Sequence, residues 1–486
     1  MAIIIVGLGP GNPAHLTREA WEILTRASEV HLRTRRHPTV AGLPRHLVLH
    51  SFDDLYEALD DFSAIYDTVA DRILELGSRE AGVVYAVPGH PLIGESSVLR
   101  IVDRARAQAM QVEIVDGLSF VEPVLSLLGT DGLHGLQLAD ATDLATAHHP
   151  ALDPGRPALI GQLYGQRLAS EIKLTLMNAY PEEHQVILVR SAGMPGAERL
   201  GLALYELDRG IDIDHLTTLY VPPLTGAAGM DAVQDTIAHL RAPDGCPWDR
   251  EQTHRSLREN LLEETYEVLA ALDAEDDDKL CEELGDLLMQ IAMHVQIATE
   301  EGAFRLADVA NHIDTKLRRR HPHVFGDMEV EGSEEVLRNW EVIKAGERTS
   351  AGDEQASRLA GVPAILPALA RAQSLAERAA RHGFDWPDLA GALDKVDEEL
   401  RELLTAEGSE EQEHELGDLL FSLVNVARRL DIDAESALRL ACDRFTRRYT
   451  AMEQEARARG LDLPEMTPED QEVLWRAIRA GTDSGS

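Results

Sequence analysis

The sequence is poor in cysteine, in positive charge and in long apolar runs, and each shortage excludes a class of protein. Its 486 residues include three cysteines, Cys246, Cys281 and Cys442, which are far apart and form no CxxC motif. Neither a disulfide framework nor a cysteine-based zinc site is therefore expected. Such sparse cysteine usage is typical of the reducing cytoplasm, which is the predicted location.

Basic residues are outnumbered by acidic ones, with 46 Lys and Arg against 85 Asp and Glu and a net charge of −39. This charge argues against nucleic acid or an anionic membrane as the partner, because both attract basic surfaces. It does not exclude a phosphate-bearing substrate, because clustered carboxylates can hold Mg²⁺ and the metal then meets the phosphates. A general role in solubility is the alternative explanation of the acidic excess.

Long apolar runs and phosphate-loop motifs are missing as well. No uninterrupted apolar stretch is long enough to span a bilayer, so no membrane partner is expected. The short run Ala2–Val6 follows no basic segment and is interpreted as a first β-strand, not as a signal peptide. The motif GxxxxGKS/T does not occur, which disfavours a P-loop nucleotidase.

The first half of the chain alternates short β-type runs with helical patterns. The runs are Ala2–Val6, Gly82–Val87, Val112–Val115, Ala158–Leu163, Val186–Val189 and Leu216–Val221. Helical patterns lie between them, for example at Thr17–Ala27 and Tyr66–Leu76. Such alternation predicts an α/β domain with a largely parallel sheet.

The pattern changes after Val221, where strand signals almost vanish and apolar residues recur at helical spacing. The Pro- and Gly-rich stretch Pro222–Gly229 is the expected boundary, and a polar linker follows at about 348–357. The prediction is a multidomain protein, with an α/β domain at 1–224 followed by duplicated all-α modules at 225–350 and 351–486.

The two helical modules repeat one ordered set of motifs. The first copy contains CPWD (246–249), LLEETYEV (261–268), ELGDLL (283–288) and TKLRRRH (315–321). The second copy contains GFDWPD (383–388), VDEELREL (396–403), ELGDLL (415–420) and DRFTRRY (443–449). Four elements in the same order are an unlikely coincidence, so the repeat indicates a duplicated module.

Carboxylates in each copy are spaced so that they can meet. Residues three or four apart share a helix face, as do Glu264 and Glu267 and, on the next helix, Glu283 and Asp286. If the two helices pack antiparallel, these side chains converge, and Mg²⁺ would relieve the repulsion between them. One EExxE motif alone would indicate only a solvated acidic face, but its repetition with ExxD favours a metal site. The predicted metal ligands are Glu263, Glu264, Glu267, Glu283, Asp286, Glu398, Glu399, Glu402, Glu415 and Asp418.

A glycine and a basic cluster accompany each set of carboxylates. Gly285 and Gly417 lie inside helical patterns, where glycine costs about 1 kcal/mol relative to alanine. Close approach of a ligand or close helix packing would account for them. The basic clusters suit phosphate oxygens, which arginine can bind bidentately, although pairing with acidic faces of the chain is the alternative. The predicted phosphate contacts are Lys316, Arg319, Arg320, Arg444, Arg447 and Arg448.

These parts together suit the hydrolysis of a nucleoside triphosphate to a monophosphate and pyrophosphate. The reaction needs a metal to activate water, cations to hold the phosphates and a carboxylate to accept a proton. The carboxylates expected to be catalytic are Glu264, Glu267, Glu399 and Glu402. The pattern leaves open whether one of the two sites is active, or both.

The duplicated motifs, from CPWDREQTHRSLRENLLEETYEV to DRFTRRY, resemble the two halves of the MazG family of nucleoside triphosphate pyrophosphohydrolases. The resemblance covers about 225–480 and implies an all-α fold, a homodimer and Mg²⁺, with Mn²⁺ as the alternative metal. It gives the metal role to the second and third Glu of each EExxE and to both acids of each ExxD. One departure is Arg444, where family members have lysine, so the geometry of that phosphate contact changes.

Glycine-rich turns follow the predicted strands of the first half. The turn Gly7-Leu-Gly-Pro-Gly-Asn12 is not the GxGxxG pattern of dinucleotide-binding domains. Further loops at 86–91 and 116–120 also end strands, and ligands of α/β sheets bind at the carboxyl ends of strands. The glycines allow the backbone to approach such a ligand closely.

This set of loops resembles the tetrapyrrole (corrin/porphyrin) methylase family over about 1–222, and its place before MazG modules resembles the YabN type of fusion. The resemblance implies S-adenosylmethionine as a cofactor. Asn12 stands where family members usually have Asp. His90 replaces the Asp of a Gly-Asp-Pro motif that is common in the family. The implied cofactor contacts are Gly9, Pro10, Pro88, Gly89, His90, Ser119, Phe120 and Tyr164.

Three functions remain open on these residues. The first is a pyrophosphohydrolase that acts on nucleoside triphosphates and carries a methylase-like domain. The second is an S-adenosylmethionine-dependent methyltransferase whose helical half binds nucleotides and regulates it. The third is a nucleotide sensor without catalysis, and the methylase fold itself could be retained without its activity.

Overall fold

The structure is a computed structural model that describes residues 2–58, 61–333 and 359–482, together with residues 335, 336, 339, 340, 342, 343, 347 and 357. The chain divides into two compact units, residues 1–310 and 311–486. The three domains expected from the sequence, with boundaries after residues 224 and 350, stay a prediction. The linker expected at about 348–357 lies, apart from residue 357, outside the described residues.

The first unit begins with a five-stranded parallel sheet. Its strands are β1 Ala2–Gly7, β2 Glu29–Leu32, β3 Val48–Ser51, β4 Val83–Val87 and β5 Gln111–Val115, in the order β3-β2-β4-β1-β5. The accompanying helices are α1 Arg18–Arg26, α2 Asp53–Ala58, α3 Phe62–Gly77 and α4 Ser96–Ala107. Ile3, Ile5 and Val6 of β1 are fully buried, as expected for a parallel strand covered on both faces.

A second five-stranded sheet follows and departs from the largely parallel arrangement expected. Its strands are β6 Gln137–Asp140, β7 Ala158–Gly161, β8 Gln185–Arg190, β9 Glu198–Ala203 and β10 Thr217–Val221, in the order β6-β7-β10-β8-β9. Only β6 and β7 pair in parallel, whereas the other neighbours are antiparallel. The loop from β8 to β9 is too short for a parallel crossover, which needs a dozen or more residues, roughly. The helices here are α5 Val121–Leu128, α6 Ala141–Thr146 and α7 Gln166–Leu176.

All six strands expected from the sequence are present, and both helices given as examples are confirmed by α1 and α3. Thr17 explains where α1 begins, because its side chain accepts a hydrogen bond from the Ala20 backbone N–H. The last strand ends at Val221, and the next element is a helix that begins at Met230.

Helices form the rest of the described chain. Those of the first copy are α8 Met230–Arg241, α9 Pro247–Glu251, α10 Arg258–Ala274, α11 Asp277–Glu300, α12 Leu306–Arg320 and α13 Pro322–Phe325. Those of the second copy are α14 Ala368–Arg381, α15 Leu389–Thr405, α16 Ser409–Arg429, α17 Ala434–Ala458 and α18 Pro468–Thr482. Among the described residues, no helix combines the length and apolar character needed to cross a membrane.

A matching pair of helices carries the carboxylate motifs in each copy. Helix α10 contacts α11, and α15 contacts α16. Between α10 and α11 the chain turns at Glu275, which has the left-handed φ of 52°, and Asp276 then caps α11 by accepting from the Lys279 backbone N–H. This tight connection brings the EExxE motif on one helix against the ExxD motif on the next.

Candidate functional site

The first set of carboxylates is gathered from α10 and α11. Ligand oxygens of Glu264, Glu267 and Glu283 lie within 4.8 Å of one another. Glu283 is buried, with 2% of its surface exposed, whereas Glu267 is exposed. The carboxylates that the sequence predicts to converge therefore do meet between these two helices.

Repulsion within this first set is visible in its pKa values. The charge of Glu283, followed by burial, raises the pKa of Glu267 above its usual range. Burial, followed by the charge of Asp286, raises the pKa of Glu264. Lys279 lies at the edge of the set, with its Nζ 2.6 Å from Glu283 Oε1, and hydrogen bonds to Glu283 and Glu282 raise the lysine's pKa.

The second set is gathered in the same way from α15 and α16. Ligand oxygens of Glu399, Glu402 and Glu415 lie within 4.8 Å of one another. Glu399 is 4% exposed, and its Oε1 lies 2.7 Å from Lys395 Nζ. Burial, followed by the charges of Glu399 and Glu415, raises the pKa of Glu402.

One buried carboxylate oxygen of the second set bears on whether these residues could bind a metal. Glu399 Oε2 is buried and has no hydrogen-bond partner in the described part of the chain. A buried carboxylate oxygen without a partner is unfavourable, and a hard divalent cation is a ligand that such an oxygen prefers. The residues present therefore fit a divalent metal.

The remaining predicted ligands surround these two groups. Asp418 Oδ2 lies 3.2 Å from His414 Nδ1, and Glu415 Oε1 lies 3.7 Å from the same nitrogen. Glu398 contacts Lys395 at 2.8 Å. In the described residues, some acidic side chains have ligand atoms that lie within 4.8 Å of one another in groups of three. Glu263, Asp286 and Glu398 belong to none of these groups. Sequence reasoning missed His414, and it also missed Lys279 and Lys395 beside the two sets.

Both motif glycines lie beside open space. A Cβ built on Gly285 or on Gly417 would meet no atom within 4 Å in the structure as described. Close packing against another described helix is therefore not the reason for these glycines. An approaching ligand or a second chain remains as the explanation.

The basic clusters differ in what they contact. Arg319 and Arg320 both pair with Glu347, each at 2.7 Å, and these hydrogen bonds lower the pKa of Glu347. This is the intramolecular pairing that the sequence left as the alternative to phosphate binding. In the second cluster Arg444 and Arg447 are exposed, while Lys316 of the first cluster and Arg448 of the second are half-buried.

A cavity of about 640 Å³ lies at the strand ends of the α/β part. Of the eight residues predicted to contact S-adenosylmethionine, six line this cavity: Pro10, Pro88, Gly89, His90, Phe120 and Tyr164. Gly9 and Ser119 do not line it. The side chain of Ser119 is buried and donates instead to Glu122 Oε2 at 2.6 Å.

Glycines bring the strand ends close together beneath this cavity. A Cβ on Gly7 would lie 2.7 Å from the Gly117 backbone, so no larger residue fits between β1 and β5 there. Gly89 has a φ of 65°, which favours glycine, and its backbone pairs with that of Gly9. This backbone suits a ligand that approaches the carboxyl ends of the strands, so an adenosylmethionine cofactor fits the residues present.

Sequence reasoning missed a buried ion pair in the same cavity. Arg33 Nη1 lies 2.7 Å from Glu95 Oε1, and both residues line the cavity. Burial raises the pKa of Glu95 to about 7, although the charge of Arg33 opposes the change. Burial also lowers the pKa of His37 to about 4. The available signal was a set of charged residues that directly follow the strand β2, in the string RTRRHP.

Comparison with known proteins agrees with both halves of this description. Residues 2–208 match the family model of tetrapyrrole (corrin/porphyrin) methylases, and residues 252–325 match that of the MazG nucleotide pyrophosphohydrolase domain. The chain is 40% identical over 486 residues to the uncharacterized protein YabN of Bacillus subtilis, covering 98% of each chain.

Two further relatives match the helical modules. The nucleoside triphosphate pyrophosphohydrolase/pyrophosphatase MazG of Thermotoga maritima is 44% identical over 245 residues, covering 50% of this chain and 93% of that protein. The nucleoside triphosphate pyrophosphohydrolase of Escherichia coli K12 is 44% identical over 256 residues, covering 51% of this chain and 97% of that protein.

Proposed function

The chain belongs to the family of YabN, in which a tetrapyrrole methylase domain precedes MazG-type modules, and we propose that it hydrolyses nucleoside triphosphates to monophosphates and pyrophosphate. The observation that carries this proposal is the pair of carboxylate groups, each drawn from two helices. Relatives named for this activity match the helical modules at 44% identity.

We propose that Mg²⁺, or Mn²⁺ in its place, binds the two carboxylate sets. Glu264, Glu267 and Glu283 would hold it in the first set. Glu399, Glu402 and Glu415 would hold it in the second, with Asp286 and Asp418 at the edge of each site. A bound divalent cation lowers the pKa of its water and neutralises charge on phosphate oxygens.

The protein's own residues then have three tasks in this proposal. The exposed Arg444 and Arg447, with Arg448, bind phosphate oxygens and hold the triphosphate in one orientation. An oxygen of water bonds to the α-phosphorus, the bond to the bridging oxygen breaks, and pyrophosphate leaves. The proton of that water passes to a carboxylate, for which Glu267 and Glu402, the exposed members of the two sets, are the candidates.

The domain organisation supports a division of labour along the chain. We propose an α/β methylase-like domain at 1–224 and MazG-like modules at 225–350 and 351–486. The end of the last strand at Val221 and the repeated order of helices support these boundaries.

We also propose that the helical modules assemble as a homodimer. Matching apolar side chains are exposed in the two copies, namely Leu284, Met289 and Ile291 on α11 and Leu416, Phe421 and Leu423 on α16. Exposed apolar patches of this kind mark protein interfaces. Sedimentation of the Phe421→Asp variant tests the proposal, because a monomer is expected where the unaltered chain sediments as a dimer.

The α/β domain is proposed to bind S-adenosylmethionine in its cavity. Six of the eight residues expected to contact the cofactor line that cavity, which supports the assignment. A methyltransferase regulated by the helical half is the second candidate function. Calorimetric titration with S-adenosylhomocysteine tests it, because absence of binding would reject both the cofactor site and the methyltransferase.

Incubation of the pure chain with a panel of nucleoside triphosphates and Mg²⁺ tests the hydrolase. Pyrophosphate and nucleoside monophosphate are the expected products. Release of orthophosphate alone would reject the proposed reaction, and the absence of any product would favour a nucleotide sensor without catalysis.

A further inference from the structure

The lining of the α/β cavity contains a carboxylate with only one of its two oxygens hydrogen-bonded. Arg33 holds Glu95 through Oε1 at 2.7 Å, whereas Glu95 Oε2 is buried without a hydrogen-bond partner among the described residues. Glu95 is 5% exposed and lines the cavity. Leaving such an oxygen unpaired is unfavourable, so a donor from a ligand would be stabilising.

The arginine of this pair is fixed by aromatic neighbours. Arg33 Nε donates to the Tyr56 hydroxyl at 3.1 Å, and its guanidinium lies 5.9 Å from the ring centres of Tyr56 and Tyr66. Arg33 is thus held by Glu95 through Nη1 and by Tyr56 through Nε. The pair presents the cavity with one acceptor, Glu95 Oε2, that has no partner among the described residues.

A cluster of aromatic rings lines the same cavity. The ring of Phe62 lies 6.5 Å from that of Tyr56, 6.3 Å from that of Tyr66 and 6.2 Å from that of Tyr164. All four line the cavity, and Phe62 is 47% exposed. Rings arranged in this way provide faces on which a flat ligand can stack.

From this geometry we propose that the Glu95 side of the cavity binds a purine-like ring, an uncharged planar heterocycle that donates an N–H to Glu95 Oε2 and stacks on the aromatic cluster. The unpartnered oxygen of Glu95 favours a ligand that donates an N–H over one that brings a carboxylate to this oxygen. Arg36, which also lines the cavity, pairs with Glu57 at 3.1 Å. His37 also lines this region and is uncharged near neutral pH, since burial lowers its pKa to about 4.

This inference deepens the proposed cofactor site, because one cavity would hold both ligands, but its test is independent. Guanosine and adenosine are titrated calorimetrically into the full chain in EDTA, which keeps metal from the carboxylate sets. The titration is repeated with saturating S-adenosylhomocysteine. Binding of at least one purine at one site per chain, retained in the presence of saturating S-adenosylhomocysteine, is the expected result.

Two variants locate the binding. Glu95→Gln removes the charge but keeps the shape. In titrations at a pH above the raised pKa of Glu95, we expect purine affinity to fall about tenfold or more because the charged acceptor is lost. Phe62→Ala removes an exposed ring, is not expected to disturb folding, and should weaken binding about tenfold through lost stacking. Trp21→Ala, an exposed aromatic residue outside the cavity, is the matched control and should leave purine affinity unchanged.

The outcomes separate this inference from the proposed function. Failure of both purines to bind would overturn the inference, as would unchanged affinity in both Glu95→Gln and Phe62→Ala. Binding of coproporphyrin, a planar polycarboxylate, in place of the purines would also overturn it. Failure of S-adenosylhomocysteine alone to bind would reject the cofactor site and leave the purine site standing.

Discussion

The two carboxylate sets repeat one motif, yet each neutralises its buried glutamate with a lysine from a different helix. In the first set Lys279 contacts Glu283, and both belong to the ExxD helix α11. In the second set Lys395 contacts Glu399, and both belong to the EExxE helix α15. The carboxylates are thus duplicated, but the cation beside them and the identity of the buried member are not.

The matching positions show that neither lysine has a counterpart. Glu411 occupies the place of Lys279 in the second copy, and Asn260 occupies the place of Lys395 in the first. The second set also has His414 beside its acids, where the first has Glu282. The two copies of the motif therefore have different charged neighbours. The repeat alone does not imply that the two sets bind metal equally or are equally active.

The largest expected effect comes from removing one charge in each set. We expect Glu399→Gln to reduce pyrophosphate release by about a hundredfold or more. The substitution removes the negative charge of a buried carboxylate whose Oε2 has no partner among the described residues and could bind metal. Glu264→Gln, the matching change in the first set, should have the smaller effect. Initial rates of pyrophosphate release with Mg²⁺ measure both.

The exposed Glu263 supplies the control for these two variants, since it lies outside the groups of ligand atoms. Glu263→Gln should keep nearly full activity. A greater loss from Glu264→Gln than from Glu399→Gln would show that the unpartnered oxygen does not identify the working site.

The sequence was sufficient for the features that depend on local spacing. EExxE and ExxD each place their acids on one helix face, so the convergence of Glu264, Glu267 and Glu283 followed from pattern alone. The long apolar strands were recognised in the same way. Strands with mixed polar residues, such as β2 and β9, were missed because they lack a clear alternation.

Other features depend on contacts between residues far apart in the chain. Arg33 and Glu95 are separated by 62 positions, and nothing local indicates that they pair. The antiparallel part of the second sheet is decided by short connections and tertiary packing, not by the strand sequences themselves. The preference of Arg319 and Arg320 for Glu347 is likewise a tertiary contact that composition cannot reveal.

A bound metal ion should relieve the repulsion between the carboxylates of each set. The pKa values of Glu264, Glu267 and Glu402 are raised, so their contribution to stability is present below the ordinary carboxylate range and is lost as pH rises through the raised values. Without metal, these three carboxylates should therefore lower stability as pH rises through that window, whereas carboxylates with lowered pKa values, such as Glu347 and Asp385, act in the opposite direction. The difference between melting temperatures with Mg²⁺ and with EDTA should therefore grow as pH rises.

Addition of Mg²⁺ at neutral pH should raise stability by about 2.7 kcal/mol for a site at a free metal concentration one hundred times its Kd. Melting curves across pH, with Mg²⁺ and with EDTA, measure this linkage. A melting temperature that does not respond to Mg²⁺ at neutral pH would contradict metal binding at either set.

Replacing the lysine beside each set tests how that cation affects metal binding in each copy. Lys395→Met removes a cation that competes with metal for Glu399, so the affinity of the second set for Mn²⁺ should rise about tenfold, as expected for a single ion pair worth roughly 1.4 kcal/mol. Lys279→Met should act in the same way on the first set through Glu283. Calorimetric titration that resolves two sites measures both changes. A weaker Mn²⁺ affinity in either variant would mean that the lysine orders the ligands instead of competing with the metal.

The smallest expected effect concerns a feature that the two copies share. Gly285→Ala and Gly417→Ala should each raise the free energy of unfolding by about 1 kcal/mol, because alanine favours the helix and its Cβ meets no atom within 4 Å in the described residues. Denaturant unfolding measures the gain, and sedimentation and pyrophosphate release measure its consequence. If stability rises while dimer formation or hydrolysis falls, the glycines keep space for a second chain or for substrate. If stability rises and both remain unchanged, neither explanation of the glycines holds, and the repeat has retained them without a packing or binding role.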